Sequence, residues 1–572
     1  MGCIVSDPTS IAQIDLSPIP GKEYFDITRE WREEFIYFLL VDRFHDGRNR
    51  QPNTGPARTA GSGTVSQLSG VCGGNLKGVK DHLDYIHDLG CTAIWLSPVL
   101  ENNPADPGTY HGYAIENYLG IDPRFGSKQD LVDLVAAAHA LDMRVFLDAV
   151  INHSGDVWAY PNDNLYFYSN DQQFPFGTWR KNNRPLPSEL RDPDLFHRKG
   201  QIRNWDSWPE YEHGDFCGSK DWAHEDDANG ARLMNALVAA HCYWIREADI
   251  DGFRMDAVKH LSQLATARFS SAVREYAYKL GKHSFLTFGE LIAGDDAINL
   301  FIGPETATNT GGSTVFFGIE SVLDFPLYFS LPDTIKGLSS PAGIIARYDA
   351  QRQRAQNMGP LGQYLVTFLD NHDGIGQTIK RRYGAGAFDQ QIIAGMGFLL
   401  CSLGTTCIYY GTEQGFSGEG QNKDDDKSIR EAMFNLNDPG KDMLNKQCRI
   451  YQEIAKISNL TGIYPPLKFG RMYLRQISGD GINFGLPQGQ PCTLAFSRLL
   501  ADQEVLVAYN TSTTENRNDA VIVDANIQAS RPAMTFIYGG AGNVPIQRSP
   551  DPNNPTRFVR LNLAPMQFVI LL

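Results

Sequence analysis

The sequence lacks the features that mark membrane-spanning, disulfide-rich and zinc-ribbon proteins. No apolar stretch reaches about 18 residues, so no transmembrane helix is expected. The nine cysteines are scattered, odd in number and without a CxxC pair, which disfavours a disulfide framework or a cysteine-based zinc site. The chain also has no internal repeat, no low-complexity tract and no basic-then-apolar secretory leader.

Positive charge is in the minority. The 572 residues carry 51 Lys and Arg against 66 Asp and Glu, a formal net charge of −15. This balance repels phosphate backbones and anionic lipid, so the sequence predicts that nucleic acid is not a partner. It places no restriction on a neutral ligand such as a sugar polymer.

The N-terminus begins Met1-Gly2-Cys3-Ile4-Val5-Ser6. This fits the pattern for N-myristoylation of Gly2, and Cys3 stands where palmitoylation would add a second chain. We therefore expect a cytoplasmic protein or, in a eukaryotic source, one anchored to a membrane through acylated Gly2 and Cys3.

Short apolar runs rich in β-branched and aromatic residues alternate with segments of helical periodicity. Eight strands are predicted near 35–37, 93–96, 145–147, 250–253, 285–288, 322–325, 365–368 and 407–410. Helices are expected over 76–86, from 128 and over 231–247, with Ser127 as an N-cap and Gly90 after a helix end. Alternation predicts an α/β fold with a parallel sheet, and eight repeats predict a TIM (β/α)8 barrel.

Two regions do not fit the alternation. Residues 153–227 are too long for a simple connection and predict a small domain inserted after strand 3. After a last helix expected over 441–460, short alternating strands predict a C-terminal antiparallel β-sandwich domain over 466–572. The barrel itself is then assigned to 1–152 and 228–465.

Carboxylates stand at the polar ends of several predicted strands, where a TIM barrel places its cleft. Asp256 ends the fourth run and Glu290 the fifth, Asp373 follows the seventh, and Asp148 lies at the end of the third. Arg254 lies two residues before Asp256, so both side chains point to one face of a strand. A lone Asp at a strand end is usually a helix N-cap. Four such strand ends together instead predict an acid-rich cleft. Spacing alone does not decide which chemistry takes place there.

The motifs around these acids resemble the signatures of the α-amylase family of glycoside hydrolases. The matching segments, in order along the chain, are 110–113 (YHGY), 121–126 (IDPRFG), 148–153 (DAVINH), 252–260 (GFRMDAVKH), 289–292 (GELI) and 368–373 (FLDNHD). The resemblance runs from about residue 33 to the C-terminus. A single four-residue match would be weak, whereas the ordered set is specific.

The resemblance implies a role for each matching residue. Asp256 would be the nucleophile of a retaining mechanism, Glu290 the acid/base, and Asp373 a third carboxylate that binds sugar hydroxyls. The other matching residues would hold the substrate or the acids. Substrate contacts are implied for Tyr113, His153, Arg254, Lys259, His260 and His372, and Asp148 would support Arg254 from behind.

The resemblance also bears on substrate and metal. The Lys259-His260 pair resembles that of enzymes that cleave internal α-1,4 bonds. Family members that hold calcium commonly use the positions of Asn152 and the His260 carbonyl, together with an acid where this chain has Ala223. Because hard cations want several oxygen ligands, the sequence argues against a complete calcium site and predicts that no cofactor is required.

Three functions stay open at this stage. The first is hydrolysis of starch, glycogen or maltooligosaccharides. The second is transfer or isomerisation of α-glucosides such as sucrose, trehalose or maltose, since 374–377 (GIGQ) departs from the usual amylase continuation. The third, a non-catalytic amylase-like binding protein, is disfavoured because all three acids are present.

Overall fold

The computed structural model describes residues 7–47, 70–162, 165–167, 172–225, 227–302, 318–353, 364–418, 420–434, 442–551 and 555–572. Gly2 and Cys3, the predicted acylation sites, lie outside these residues. None of the described helices combines the length and the apolar character needed to cross a bilayer.

Eight parallel strands form a barrel, which confirms the predicted fold class. In chain order they are Phe35–Leu39, Ala93–Leu96, Arg144–Ala149, Gly252–Met255, Leu286–Gly289, Ser321–Val322, Val366–Thr367 and Thr405–Tyr409. Each pairs in parallel with its neighbour, and the first pairs with the eighth. A parallel bridge between Leu323 and Val366 joins the sixth strand to the seventh and closes the ring. The strands are buried on both faces, as their β-branched and aromatic composition indicates.

The α-helices connect and flank these strands. They span Val41–Phe44, Leu76–Asp81, Leu83–Asp88, Lys128–His139, Glu210–His213, Ala228–Ala248, Gln263–Lys279, Asp295–Ile302, Phe325–Tyr328, Leu331–Ile335, Ala342–Gln353, Asp389–Cys401, Arg449–Ile463 and Pro465–Phe469. Ser127 caps its helix in a capping box with Asp130, as the sequence predicted. Gly90 adopts φ +95°, the left-handed conformation that favours glycine after a helix end.

Two helix predictions were wrong in extent. The segment 76–86 is not one helix, because His82 leaves helical geometry and its ring packs against His45 with a 3.1 Å hydrogen bond. The last helix begins at Arg449 rather than near 441. In the described residues before it, the Asn445 side chain accepts a hydrogen bond from the Gln447 N–H, a local turn that competes with helix formation.

The segment inserted after the third barrel strand has little regular structure of its own. His153–Ser154 pairs with Lys220–Asp221, and Trp158–Ala159 pairs with Thr178–Trp179. The first of these pairs matters for the site, because it binds the far end of the insertion back to the end of the third barrel strand.

The C-terminal part forms a nine-stranded antiparallel sheet. In spatial order its strands are Arg471–Leu474, Thr493–Leu500, Gln503–Asn510, Phe568–Leu571, Ala533–Tyr538, Asn543–Arg548, Arg557–Leu563, Arg517–Val523 and Ile477–Ser478. The sheet is fixed to the barrel by Arg498, whose guanidinium donates to the Cys401 carbonyl oxygen at 2.7 Å. The described cysteines are free thiols.

Candidate active site

Asp256 and Glu290 are neighbours because their strands are neighbours. The fourth and fifth barrel strands pair in parallel with Met255 opposite Gly289, and the two acids follow directly. The Glu290 N–H donates to the Met255 carbonyl oxygen at 2.9 Å, so the pairing continues to the point where the side chains diverge into the cleft. Adjacent strands lie about 4.8 Å apart, so the two acids stand side by side at the carboxyl-terminal end of the barrel.

Arg254 holds three of the acids together. Its Nη1 donates to Asp148 Oδ1 and to Asp256 Oδ1, each at 2.8 Å, and its Nη2 lies 3.0 Å from Glu290 Oε2. The Arg254 side chain is completely buried. Arg254 and Asp256 face the same side because side chains alternate along a strand, as the sequence predicted. One guanidinium therefore shares its charge among three largely buried carboxylates.

The two central acids differ in how Arg254 reaches them. Burial raises the pKa of both Asp256 and Glu290 to about 7, and the Arg254 charge opposes the rise in each case. Asp256 receives a hydrogen bond from the guanidinium, whereas Glu290 has the nearby charge and a 3.2 Å hydrogen bond from the Ala257 N–H. The two acids therefore have similarly raised pKa values and differ in their hydrogen-bond donors, a charged guanidinium for Asp256 and a backbone N–H for Glu290.

The third acid, Asp373, has a partner that the sequence did not reveal. Arg430 donates from Nη2 to Asp373 Oδ1 at 2.8 Å and from Nε to the His372 carbonyl oxygen at 2.8 Å. Burial of Asp373 is outweighed by His372 and Arg430, and its pKa falls to about 2. Arg430 is the permanent charge, because burial lowers the pKa of His372 to about 3. The one feature of the sequence that could have drawn attention to Arg430 is Asp426, four residues before it, a spacing typical of ion pairs. In the structure the Asp426 carboxylate lies 3.6 Å from the Arg430 guanidinium.

Tyr113 and His372 form one wall next to these acids. Their rings stack with centroids 5.3 Å apart and planes 10° apart, and the Tyr113 hydroxyl donates to Asp148 Oδ2 at 2.9 Å. His372 Nδ1 is buried without a hydrogen-bond partner among the described residues. His153 Nε2 lies 3.2 Å from the Tyr113 carbonyl oxygen, so this histidine also supports the tyrosine.

A second wall carries Lys259 and His260, which follow Asp256 by three and four residues. Lys259 Nζ pairs with Asp206, and His260 Nδ1 lies 2.6 Å from the Tyr211 carbonyl oxygen. Trp205, 38% exposed, stands edge-on to His260 with ring centroids 5.6 Å apart. Both walls are therefore built partly from the barrel and partly from the inserted segment.

Comparison with known proteins decides the family. The family model described as "Alpha amylase, catalytic domain" matches residues 38–455, most of the chain. The chain belongs to the α-amylase family. This confirms the resemblance read from the sequence motifs, and it assigns the chain to the glycoside hydrolases and related transglycosylases.

Several relatives of this α-amylase family member are similar over most of its length. It is 28% identical to an α-amylase of Streptomyces lividans, over 94% of this chain and 60% of that enzyme. It is 27% identical to α-amylase 2 of Schwanniomyces occidentalis, over 90% of each chain, and 27% identical to a cyclomaltodextrin glucanotransferase of Klebsiella oxytoca, over 69% of this chain and 59% of that enzyme. The chain thus spans about 60% of the S. lividans enzyme and of the K. oxytoca enzyme.

Solved structures agree on the fold. The α-amylase of Geobacillus thermoleovorans, solved with acarbose, superposes with a TM-score of 0.67 at 25% identity, over 95% of this chain and 98% of that one. An α-amylase of Malbranchea cinnamomea gives a TM-score of 0.69 at 21% identity, over 95% and 96%, and supports the fold alone.

The calcium position expected at Asn152 has an acid beside it, which the sequence comparison at Ala223 did not anticipate. Asp221, two residues before Ala223, is the acid beside Asn152, with Asn152 Nδ2 3.4 Å from Asp221 Oδ1. Asn152 Oδ1 is buried without a hydrogen-bond partner in the described chain, which would suit a cation. The Asp221 carboxylate is nevertheless paired with His197. Burial of His197 is outweighed by its hydrogen bonds to Asp221 and Glu225, and its pKa rises. Asp221 thus has His197 as a buried partner on one side, while its carboxylate and Asn152 Oδ1 offer oxygen atoms side by side on the other, so the residues present are compatible with calcium.

Proposed function

We propose that this enzyme is a retaining glycosidase that cleaves internal α-1,4 bonds of starch, glycogen or maltooligosaccharides. The observation that carries the proposal is the arrangement around Arg254, which bonds Asp256 and lies against Glu290 at the ends of adjacent barrel strands. Adjacent strands suit the separation of about 5 Å that a covalent mechanism needs. We assign this chemistry to the barrel, residues 1–152 and 228–465.

In the first step the Asp256 carboxylate attacks the anomeric carbon while the glycosidic oxygen leaves. Glu290 donates its proton to that oxygen, so the leaving sugar departs as a neutral alcohol and a glycosyl ester forms on Asp256. In the second step the Glu290 carboxylate takes a proton from water as the water oxygen attacks the same carbon. The Asp256 ester bond breaks, and both side chains return to their starting states.

The remaining residues of the site position the sugar. Asp373, kept ionised by Arg430, can accept hydrogen bonds from two sugar hydroxyls. His372 Nδ1 supplies a further buried polar atom, and the Tyr113 ring supplies a flat face for the sugar ring. Lys259 and His260 would contact the leaving-group sugars.

Glucosyl transfer to a sugar acceptor is the second candidate. It is favoured by Trp205, whose partly exposed indole stands next to His260 on the leaving-group side. An aromatic face there stacks on an acceptor sugar, and a sugar that stays bound competes with water for the glycosyl-enzyme. Hydrolysis and transfer share the same first step and differ in the acceptor.

Product analysis separates the two. Maltoheptaose and soluble starch are incubated with the enzyme, with and without added maltose, and the products are resolved by chromatography. We expect shorter maltooligosaccharides and a rise in reducing ends, little changed by maltose. Products longer than the substrate would establish transfer instead, and release of glucose alone would establish an exo-acting enzyme. Inactivity on both substrates would contradict the α-glucan assignment and direct the search to sucrose and trehalose.

A further inference from the structure

A second cluster of ligand-type side chains lies in the inserted segment and takes no part in the proposed chemistry. His197, His213 and Glu225 each offer one nitrogen or oxygen atom, and these three atoms lie within 4.8 Å of one another. Among the described residues, no other group of His, Cys, Asp and Glu meets this condition. The three residues are 16 and 12 positions apart in sequence and match no metal-binding motif.

The histidine at the centre is held as a metal-bound histidine is held. His197 is buried, and its Nδ1 is hydrogen-bonded to the Asp221 carboxylate. This bond fixes the ring and leaves Nε2 directed at Glu225, whose Oε1 is 2.6 Å away. A carboxylate behind a ligating imidazole is the usual second partner in protein metal sites, because it sets the tautomer and raises the basicity of the other nitrogen.

His213 and Glu225 supply the other two ligand groups, and the cluster is open to solvent on the side of Glu225. The His213 ring stacks on the His197 ring, with centroids 4.4 Å apart and planes 27° apart. Because an imidazole binds a metal in the plane of its ring, His213 must rotate to direct a ring nitrogen to the same ion as His197 Nε2. The Glu225 side chain is 45% exposed, so an ion can enter from solvent. His213 is the last residue of the four-residue helix Glu210–His213.

We propose that His197 Nε2, a ring nitrogen of His213 and Glu225 bind one zinc ion, with water as the fourth ligand. Two imidazoles and one carboxylate suit zinc, whereas calcium requires an oxygen-only shell. Ligand atoms at about 2.1 Å from a tetrahedral zinc are about 3.4 Å apart. His197 Nε2 and Glu225 Oε1, now 2.6 Å apart, must therefore separate, and spacings of up to 4.8 Å within the cluster must contract. Binding replaces the proton that lies between His197 Nε2 and Glu225, and that proton is released to solvent.

The ion would cross-link three parts of the insertion. These are the loop at His197, the Glu210–His213 helix and the segment after Lys220–Asp221. The helix places the Tyr211 carbonyl oxygen against His260, and the Lys220–Asp221 strand pairs with His153–Ser154. The zinc is therefore a structural ion that stiffens the leaving-group wall of the cleft, and its effect is measurable without any substrate.

The first test is direct titration of the full chain after removal of metal with a chelator and exchange into chelator-free buffer. Zinc chloride, cobalt chloride and calcium chloride are added separately and followed by isothermal titration calorimetry and thermal unfolding. We expect one zinc per chain with a submicromolar Kd, a higher Tm, and a cobalt absorption spectrum typical of nitrogen and oxygen ligands. Calcium at the same concentration should leave the zinc affinity unchanged, because calcium requires an oxygen-only shell. Absence of stoichiometric zinc binding would overturn the proposal.

Variants then locate the ion. We expect His213→Gln and Glu225→Gln each to weaken zinc binding at least tenfold and to abolish the zinc-dependent rise in Tm. His283→Gln is the matched control, since His283 is an exposed histidine 3.0 Å from the Asp26 carboxylate and lies outside the cluster. If His213→Gln fails to fold, the exposed Glu225→Gln variant decides. Unchanged zinc affinity in Glu225→Gln would place the ion elsewhere and refute this site.

Discussion

Asp256→Asn is expected to lower kcat/KM on maltoheptaose by about 10⁴-fold or more. An amide oxygen cannot form the glycosyl ester, and the Arg254 hydrogen bond at 2.8 Å would hold the amide where the nucleophile stood. The loss should appear in kcat rather than KM, since the side chains that bind sugar hydroxyls are unchanged. Initial rates over a range of maltoheptaose concentrations measure both constants.

The control for this change is Asp133→Asn on the outer helix Lys128–His139. Asp133 is an exposed acid 3.9 Å from Lys80, and its amide should leave kcat/KM within about twofold. Thermal unfolding of both variants shows that the fold is intact. A fully folded Asp256→Asn enzyme that kept a tenth of the activity would exclude Asp256 as the nucleophile.

Glu290→Gln is expected to lower kcat/KM on maltoheptaose by about 10³-fold. The rate of the first step should fall much less on a substrate whose leaving group needs no proton, such as an α-glucosyl fluoride. The reason is that Gln cannot protonate the glycosidic oxygen. Added azide should restore turnover of the fluoride, because an anionic nucleophile needs no general base, and the product should be the α-glucosyl azide. Mass spectrometry and NMR of that product check the result.

The dependence of kcat/KM on pH provides a second test of the role of Glu290. Burial raises the pKa of Glu290 to about 7, so kcat/KM should fall as the pH rises above 7 and Glu290 loses its proton. Below pH 7 it should fall as Asp256 takes up a proton, since burial raises that pKa to about 7 as well. In Glu290→Gln the basic limb should vanish. A basic limb that survived the substitution would assign the acid/base role to another group.

The barrel was predictable because its signal is local. Each of the eight strands is a short buried run that overlaps its predicted position. The sixth, Ser321–Val322, shares only Val322 with the predicted 322–325, because Phe325 begins a helix. The Arg254–Asp256 contact was also predictable, since side chains two residues apart share one face of a strand. The roles of these residues came from the resemblance to a family, because spacing can bring carboxylates together but cannot assign their chemistry.

The features that sequence analysis missed depend on contacts between distant segments. Arg430 reaches Asp373 from 57 residues away, and the His197, His213 and Glu225 cluster exists only because the insertion folds back on itself. The break at His82 coincides with such a contact, since the His82 ring is hydrogen-bonded to His45, 37 residues away. Periodicity predicts which face of an element is buried, but not which side chain from elsewhere will lie against it.

The most direct test of the central claim is the configuration of the newly formed reducing end. Proton NMR spectra are recorded within the first minutes of maltoheptaose cleavage, before the anomers equilibrate. A covalent intermediate on Asp256 inverts the anomeric carbon twice, so the account predicts that the α-anomer appears first. First appearance of the β-anomer would mean direct attack by water, and it would contradict the assignment of Asp256 and Glu290 as a retaining pair.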